Sequence, residues 1–364
     1  MWQKWAVLVS LMTFRVVANS TEASVGSRQD KALNVFNVVR FPNDVCNTTS
    51  GKSGTCYSAS ECSAFGGSSL GTCASGFGVC CGLTASCGAT TSVNNTYFKS
   101  STSDTSPCQI FVCKITNNIC QIRLDFDTFD IDQPVSQDVS SATTSKTQCN
   151  SAQFSATTDG GTAPVICGTN TGYHMILEAK DACNSLTFSW TSTSSKRSWD
   201  MKISQIPCDV SWKPPAGCLQ HFTGTTGTVY SYNYLGGVHL ANQQYTNCIR
   251  TEEGYCSIAY SSSKFEVSDV VNEGKIGGEC VTDYVIIPRA GGSTLQEGIN
   301  YDRFCGGLLT YTVPKTTTRT LYTVRYPFQI GVYFDGTETT TTPVAEKSFG
   351  FAISYKQFAS CSLP

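Results

Sequence analysis

Two stretches of the sequence, CKITNNICQIRLDF (113–126) and CIRTEEGYCSIAYS (248–261), share one pattern. In each, two cysteines lie seven or eight positions apart, and the second cysteine opens a run in which apolar and polar residues alternate. Alternation with a period of two predicts a β-strand that is buried on one face. The two stretches therefore indicate an internal repeat whose unit is built from β-strands.

The repeat extends on both sides of these stretches. Its equivalent cysteines are Cys87 and Cys218, Cys113 and Cys248, Cys120 and Cys256, Cys149 and Cys280, Cys167 and Cys305, and Cys208 and Cys361. Clusters of Gly, Ser and Thr separate the alternating runs, and no helical period of useful length occurs. We therefore predict an all-β protein with two β-sandwich domains in tandem, the first over 83–208 and the second over 209–364.

Residues 46–82 differ in composition from the rest of the chain, because they contain six cysteines and many glycines. So short and polar a segment cannot bury enough apolar surface to fold on a core alone. We expect a small disulfide-rich knot ahead of the two sandwiches.

The N-terminus has the features of a secretory signal peptide over residues 1–20. Lys4 precedes the apolar run WAVLVSLMTF, and small residues, Ala18 and Ser20, form a cleavage site. Residues 21–45 then form a leader or linker. All 20 cysteines follow the expected cleavage site, and three histidines are too few to favour zinc ligation, so we expect disulfides in a secreted, extracellular protein.

Charge and motifs exclude several classes of function. The net charge is −2 and no basic cluster occurs, which argues against binding to nucleic acid or to anionic lipid. No stretch after the expected signal peptide is long and apolar enough to span a bilayer, so we expect no membrane insertion. No Gly-Asp-Ser-Gly-Gly block, G-x-S-x-G elbow or H-E-x-x-H helix is present. The sequence therefore predicts no enzyme activity and requires no cofactor.

Two sequons, at Asn47 and Asn94, predict a glycoprotein. For Asn47 an unmodified turn is an equal alternative, because this residue sits directly beside Cys46.

The second copy resembles the CUB domain, an extracellular β-sandwich. The resemblance lies in Cys218, Cys248, the block Cys280-Val-Thr-Asp283-Tyr284, the block Arg303-Phe-Cys-Gly-Gly307, and Gly350-Phe351 ahead of Tyr355. The first copy is CUB-like through the repeat and is divergent in its own motifs. Residues 46–81 are similar to the clip domain found ahead of arthropod serine proteases, through their cysteine order and the adjacent Cys80-Cys81. The whole chain thus resembles secreted arthropod CUB-domain proteins.

The CUB resemblance implies a Ca²⁺ site in the second sandwich, with Asp283 and Asp335 as ligands. Hard carboxylate oxygens are what Ca²⁺ requires. The family's early glutamate would fall on Ser268, so the ligand set departs from the family there. The alternative is that Asp283 only hydrogen-bonds a loop backbone.

The same resemblances, together with the repeat, imply a disulfide framework. The expected bridges are Cys46–Cys80, Cys56–Cys73, Cys62–Cys81, Cys87–Cys113, Cys108–Cys183, Cys120–Cys208, Cys149–Cys167, Cys218–Cys248, Cys256–Cys361 and Cys280–Cys305.

The function that these expectations favour is a non-catalytic binding or adaptor protein. Its partner would be an extracellular protein, such as a serine protease or a cell-surface receptor, with a glycan as the less favoured ligand. One alternative is a non-catalytic regulator in an extracellular serine-protease or immune cascade. Another is a structural component of matrix or cuticle.

Overall fold

The computed structural model describes residues 39–49, 51–138, 144–268, 273–292, 301–311, 316–336, 338–339 and 349–361. The expected signal peptide and most of the expected leader lie outside these residues. Over the described residues the protein is almost entirely β-strand, with one short helix and three 3-10 turns. The all-β fold predicted from alternation is therefore confirmed.

The knot consists of four strands and the only α-helix of the described residues. They are β1 (Val45–Asn47), β2 (Ser53–Tyr57), α1 (Ala59–Ala64), β3 (Ser68–Cys73) and β4 (Gly78–Ala85). The helix begins at a capping box, in which Ser58 Oγ accepts the Glu61 N–H at 3.2 Å and the Glu61 carboxylate accepts the Ser58 N–H at 2.9 Å. A Cβ on Gly67 would collide with Cys81 Sγ, so the bridged cysteines require a glycine there.

The first sandwich follows the knot. Its strands are β5 (Thr90–Thr91), β6 (Thr96–Lys99), β7 (Cys108–Val112), β8 (Ile119–Ile131), β9 (Val135–Asp138), β10 (Thr144–Gln148), β11 (Ala152–Thr158), β12 (Gly161–Thr162), β13 (His174–Glu178), β14 (Asn184–Trp190) and β15 (Arg197–Pro207). One sheet has the order β12-β11-β14-β7-β5. The opposite sheet has the order β1-β2-β4-β6-β15-β8-β13, with β3 beside β4, and so contains the strands of the knot.

The remaining strands follow in the second copy of the repeat. They are β16 (Cys218–Phe222), β17 (Thr226–Tyr230), β18 (Gln243–Ile249), β19 (Ser257–Glu266), β20 (Gly274–Ile276), β21 (Tyr284–Ala290), β22 (Tyr301–Gly306), β23 (Leu321–Thr323), β24 (Gln329–Phe334), β25 (Glu338–Thr339) and β26 (Gly350–Phe358). The 3-10 turns are Ala74–Gly76, Tyr234–Gly236 and Gly277–Glu279. Six strands form the sheet β16-β18-β24-β21-β22-β20, and four form the sheet β17-β26-β19-β23. Strand β25 lies outside both and pairs with β10 in a separate three-stranded sheet of order β25-β10-β9.

Aromatic side chains fill the space between the sheets of each sandwich. In the first, Phe188 stacks on Trp199 with ring centroids 4.0 Å apart, and Phe154 packs on Phe188 at 4.7 Å. Phe304 and Phe351 are fully buried in the second. Burial of such rings is the main stabilising contribution to these cores, at about 25 cal/mol for each Å² of apolar surface.

The knot is continuous with the first sandwich. Strand β4 leaves the knot and pairs in parallel with β6, so that Leu83 lies beside Thr96 and Ala85 beside Phe98. The boundary expected at 82/83 thus falls inside one strand. An ion pair between Lys52 Nζ and Asp200 Oδ2, at 3.0 Å, ties a knot loop to the same sheet.

The two sandwiches share a polar joint, and the stretch Phe41–Pro364 clusters as one compact unit. Asn233 Oδ1 accepts the Thr169 N–H at 2.8 Å, while Asn170 Oδ1 accepts the Asn233 N–H at 2.7 Å. His174 Nε2 accepts the His221 N–H at 2.9 Å. Because these bonds join backbone on one side to buried side chains on the other, they fix the relative orientation of the sandwiches.

All 20 cysteines are paired. The bridges are Cys46–Cys80, Cys56–Cys73, Cys62–Cys81, Cys87–Cys108, Cys113–Cys183, Cys120–Cys208, Cys149–Cys167, Cys218–Cys248, Cys256–Cys361 and Cys280–Cys305. Eight of the ten join the cysteines that the resemblances implied.

The expected bridges Cys87–Cys113 and Cys108–Cys183 are wrong, and strand geometry gives the reason. Cys108 opens the five-residue strand β7 and Cys113 follows its end, so the two lie about 16 Å apart at ~3.3 Å per residue. Gly88 N–H donates to Gln109 O, which places Cys87 beside the first end, next to Cys108. Cys183 precedes β14, whose Asn184 lies opposite Val112, and this register brings Cys183 to Cys113.

Candidate functional site

Asp283 and Asp335, the expected metal ligands, meet at one end of the second sandwich. Asp283 precedes β21 and Asp335 follows β24, and these strands are antiparallel neighbours, with Tyr284 opposite Tyr333. Asp283 Oδ1 accepts the Asp335 N–H at 2.7 Å, and only 3% of Asp283 is exposed. The alternative reading of Asp283, a hydrogen bond to a loop backbone, is therefore realised here.

A carboxylate buried to this extent must be compensated by hydrogen bonds or by positive charge. The bond from Asp335 N–H supplies part of that compensation. Each of the two carboxylates carries two oxygens, and such hard oxygens are the ligands that Ca²⁺ prefers. Asp283 and Asp335, at the ends of neighbouring strands, could therefore hold a cation between them, but the folded structure does not require one.

Ser268 stands where the CUB family has its early glutamate, and its side chain has a structural role. Ser268 Oγ accepts the Gly306 N–H at 3.0 Å, and the adjacent Val267 N–H donates to Gly306 O. Gly306 has a φ of 85°, a left-handed conformation that favours glycine. The serine therefore caps the turn that follows β22, and its oxygen is a neutral one.

The loop that carries Asp283 is held rigidly at both ends. Cys280, three residues earlier, is bridged to Cys305, and Arg303 Nη1 donates to the Cys280 carbonyl at 3.3 Å. Arg303 also lies over the Tyr284 ring, 4.6 Å from its centroid. Between Cys280 and Asp283 the loop displays Val281, which is 71% exposed. This end of the sandwich thus presents an apolar side chain on a fixed backbone.

The first sandwich lacks the matching carboxylate. Its counterpart of Asp283 is Ala152, which is 4% exposed and pairs with Trp190 at the start of β11. Among the described residues, one cluster of three metal-type side chains occurs, Cys87, Asp104 and Cys108. Its two sulfurs are joined to each other in a disulfide, so their thiolates are unavailable as ligands.

The two sequons lie in unlike surroundings. Asn47 is exposed at the end of β1, and its Oδ1 accepts the Ser53 hydroxyl at 2.9 Å. Asn94 is half-buried, and its Oδ1 accepts two backbone N–H groups, from Asn95 at 3.0 Å and from Gln205 at 2.8 Å. The side chain of Asn94 therefore links the turn before β6 to strand β15.

Sequence reasoning missed the residues of the joint between the sandwiches. Burial, followed by the nearby Arg123 charge, lowers the pKa of His174 to about 3, so its ring is neutral and can accept the His221 N–H. The Tyr232 hydroxyl donates to the His174 carbonyl at 2.9 Å. Asn233 adopts a left-handed conformation, with a φ of 61°. The only local signal was the identity of Asn233, since asparagine tolerates that conformation better than most residues.

Residues 215–358 match the family profile of the animal CUB domain. A solved structure of the CUB1-EGF-CUB2 domains of rat MASP-1 is similar at 15% identity and a TM-score of 0.26, over 75% of this chain and 99% of that one. The CUB1-EGF-CUB2 domain of human MASP-1/3 shows 15% identity and a TM-score of 0.22, over 72% and 98%. The full extracellular region of zebrafish Gpr126/Adgrg6 shows 12% identity and a TM-score of 0.25, over 77% and 34%.

No curated protein sequence matches the chain. The match to the family profile indicates a CUB domain at residues 215–358. The clip-like knot and the arthropod origin stay predictions. In the part of the chain that the structure describes, no helix has the length and apolar character needed to cross a membrane. Ten disulfide bridges fit an oxidising, extracellular environment.

Proposed function

We propose that the chain is a secreted, non-catalytic protein that binds another extracellular protein through the Asp283 end of its second sandwich. The observation that carries this proposal is the hydrogen bond from Asp335 N–H to Asp283 Oδ1, which locks two loops together at one end of the CUB domain. Loops that a rigid sandwich holds in place are the usual binding elements of such folds. Val281, exposed on the locked loop, supplies an apolar contact for the partner.

Ca²⁺ would strengthen this arrangement by binding to Asp283 and Asp335. Both supply hard oxygen ligands, whereas Ser268, already bonded to Gly306, adds no charge. Since fewer charged ligands lower the affinity, we expect millimolar rather than micromolar binding. The ion would neutralise the two carboxylates and stabilise the folded protein by mass action.

The calcium part of the proposal is tested by thermal unfolding of the whole mature chain. We expect millimolar Ca²⁺ to raise the unfolding midpoint relative to chelator, and Asp283→Asn to abolish the difference. Asp181→Asn is the matched control, because Asp181 is an exposed carboxylate of the first sandwich that pairs with Lys114. Equal midpoints for the wild type with and without Ca²⁺ would remove calcium from the proposal.

The binding part is tested by affinity capture from extracellular fluid. We expect a partner that the wild type retains and Val281→Lys releases. Ile115→Lys is the control, since Ile115 is also an exposed aliphatic residue but lies on the first sandwich. A partner held equally by the wild type and Val281→Lys would place the binding surface elsewhere. A captured serine protease would favour the regulator of a protease cascade over the general adaptor.

A further inference from the structure

A second candidate site lies at the joint, in a pocket of about 300 Å³ between the two sandwiches. Five side-chain amides and one aliphatic residue form most of its wall: Gln148, Asn150, Gln153, Val165, Asn242 and Gln243. The pocket lies beside the proposed binding end, because Asn242 N–H donates to the Asp335 carbonyl at 2.7 Å. Ligand pockets of proteins occur preferentially at such interfaces between domains.

Gln243 is held rigidly in the wall of the pocket. Only 2% of this residue is exposed, and its Nε2 donates to the Val165 carbonyl at 2.9 Å and to the Ala241 carbonyl at 3.2 Å. These two bonds fix the amide plane. Gln243 Oε1 is buried and has no hydrogen-bond partner among the described residues. Because this oxygen is buried, the Gln243 amide fixes the wall, and the other four amides, which are partly or fully exposed, are the ones that a ligand can reach.

Among the residues that the structure describes, no charged side chain lines the pocket. Each of the other four amides offers both a donor and an acceptor, so together they match a ligand whose groups also donate and accept. Sugar hydroxyl groups have this property, and Val165, which is 38% exposed, provides an apolar surface for the C–H face of a sugar ring. A peptide strand would instead pair its backbone with the edge of a sheet, whereas these groups are side-chain amides.

We propose that this pocket binds a neutral saccharide residue. The joint would then recognise a glycan independently of the protein partner and of Ca²⁺. Its hydrogen bonds hold both walls in place before a ligand arrives, which reduces the entropy that binding costs.

The test is saturation-transfer NMR on the whole chain, with its own N-glycans removed enzymatically and with chelator present. The probes are the methyl glycosides of glucose, galactose, mannose and N-acetylglucosamine. We expect transfer to at least one glycoside, and the double variant Gln148→Ala/Gln153→Ala to lower its affinity by about tenfold or more. Gln244→Ala is the matched control, because Gln244 is the next residue on β18 and its side chain is exposed.

Three results would overturn the proposal: no transfer to any glycoside, transfer that the double variant leaves unchanged, or a neutral tripeptide that displaces the bound glycoside. If the double variant proves unstable, Asn242→Gly replaces it, since glycine tolerates the φ of 56° at that position. Because the chelator is present throughout, failure here is distinguishable from failure of the calcium site.

Discussion

Acid should weaken the protein through His174, and His174→Gln should remove that effect. His174 is 8% exposed, its ring edge contacts Phe222, and its Nε2 accepts the His221 N–H. Burial, then the Arg123 charge, lowers its pKa from 6.5 to about 3, while Asp125 acts in the opposite direction. The pKa of the nearby His221 is also lowered, again mainly by burial.

The sign follows from proton binding by the two states. An unfolded chain binds a proton at His174 below about pH 6.5, whereas the folded protein binds one only near pH 3. The stabilisation is therefore complete above pH 6.5 and is lost as the pH falls toward 3. Between about pH 8 and about pH 5 the unfolding free energy should fall by about 2 kcal/mol on this account alone.

Urea unfolding with intact disulfides, measured across this pH range, checks the effect. A glutamine at position 174 can still accept the His221 N–H and does not titrate, so the variant should lose about 2 kcal/mol less than the wild type on acidification. Phe222→Leu is the control, because it alters the packing on His174 without changing the number of ionisable groups. Wild-type and His174→Gln profiles that remain parallel would refute the role assigned to this ring.

Three further outcomes follow from the geometry. Mass spectrometry of the secreted chain should find high occupancy at the exposed Asn47 and low occupancy at Asn94, and the reverse order would contradict the burial argument. Non-reducing peptide maps should contain a fragment linked through Cys113–Cys183; a Cys113 fragment linked to any other cysteine would contradict it. Asn233→Ala should lower the unfolding free energy by about 2–4 kcal/mol, since it removes two side-chain hydrogen bonds and forces alanine into a left-handed conformation. A change below about 1 kcal/mol, the value of one hydrogen bond, would contradict this expectation.

The sequence could predict what depends on local periodicity. Alternation in residues 121–131 predicted β8, and the resemblances together with the repeat implied ten bridges, of which eight are present. The prediction of the disulfide partner of Cys87 failed, because Cys108 and Cys113 are both plausible partners from the sequence alone. Only the extended conformation of β7, which the structure shows, places the two cysteines far apart.

The candidate site was likewise predictable from the sequence only in part. The C-x-x-D spacing identified Asp283, since the residue belongs to a compact motif. The joint could not be predicted, because Asn233 is distant in sequence from Asn170 and His174, and each is an ordinary residue in its own segment. The amide pocket was missed for the same reason, as β10, β11 and β18 contribute one amide each and the segments just before β11 and β18 supply the other two. Only the tertiary arrangement brings such residues together.

The disulfide framework also determines how the chain would respond to tension between its ends. Cys113–Cys183 and Cys120–Cys208 overlap in sequence, and Cys256–Cys361 encloses Cys280–Cys305. A stretching force would be carried by these disulfide bonds and would not act on most of the strands of each sandwich. The enclosed strands therefore could not be drawn out to full length while the bridges are intact. Between Cys46 and Cys361 only short connectors such as 209–217 could extend freely, so this part of the chain should act as a nearly inextensible tether.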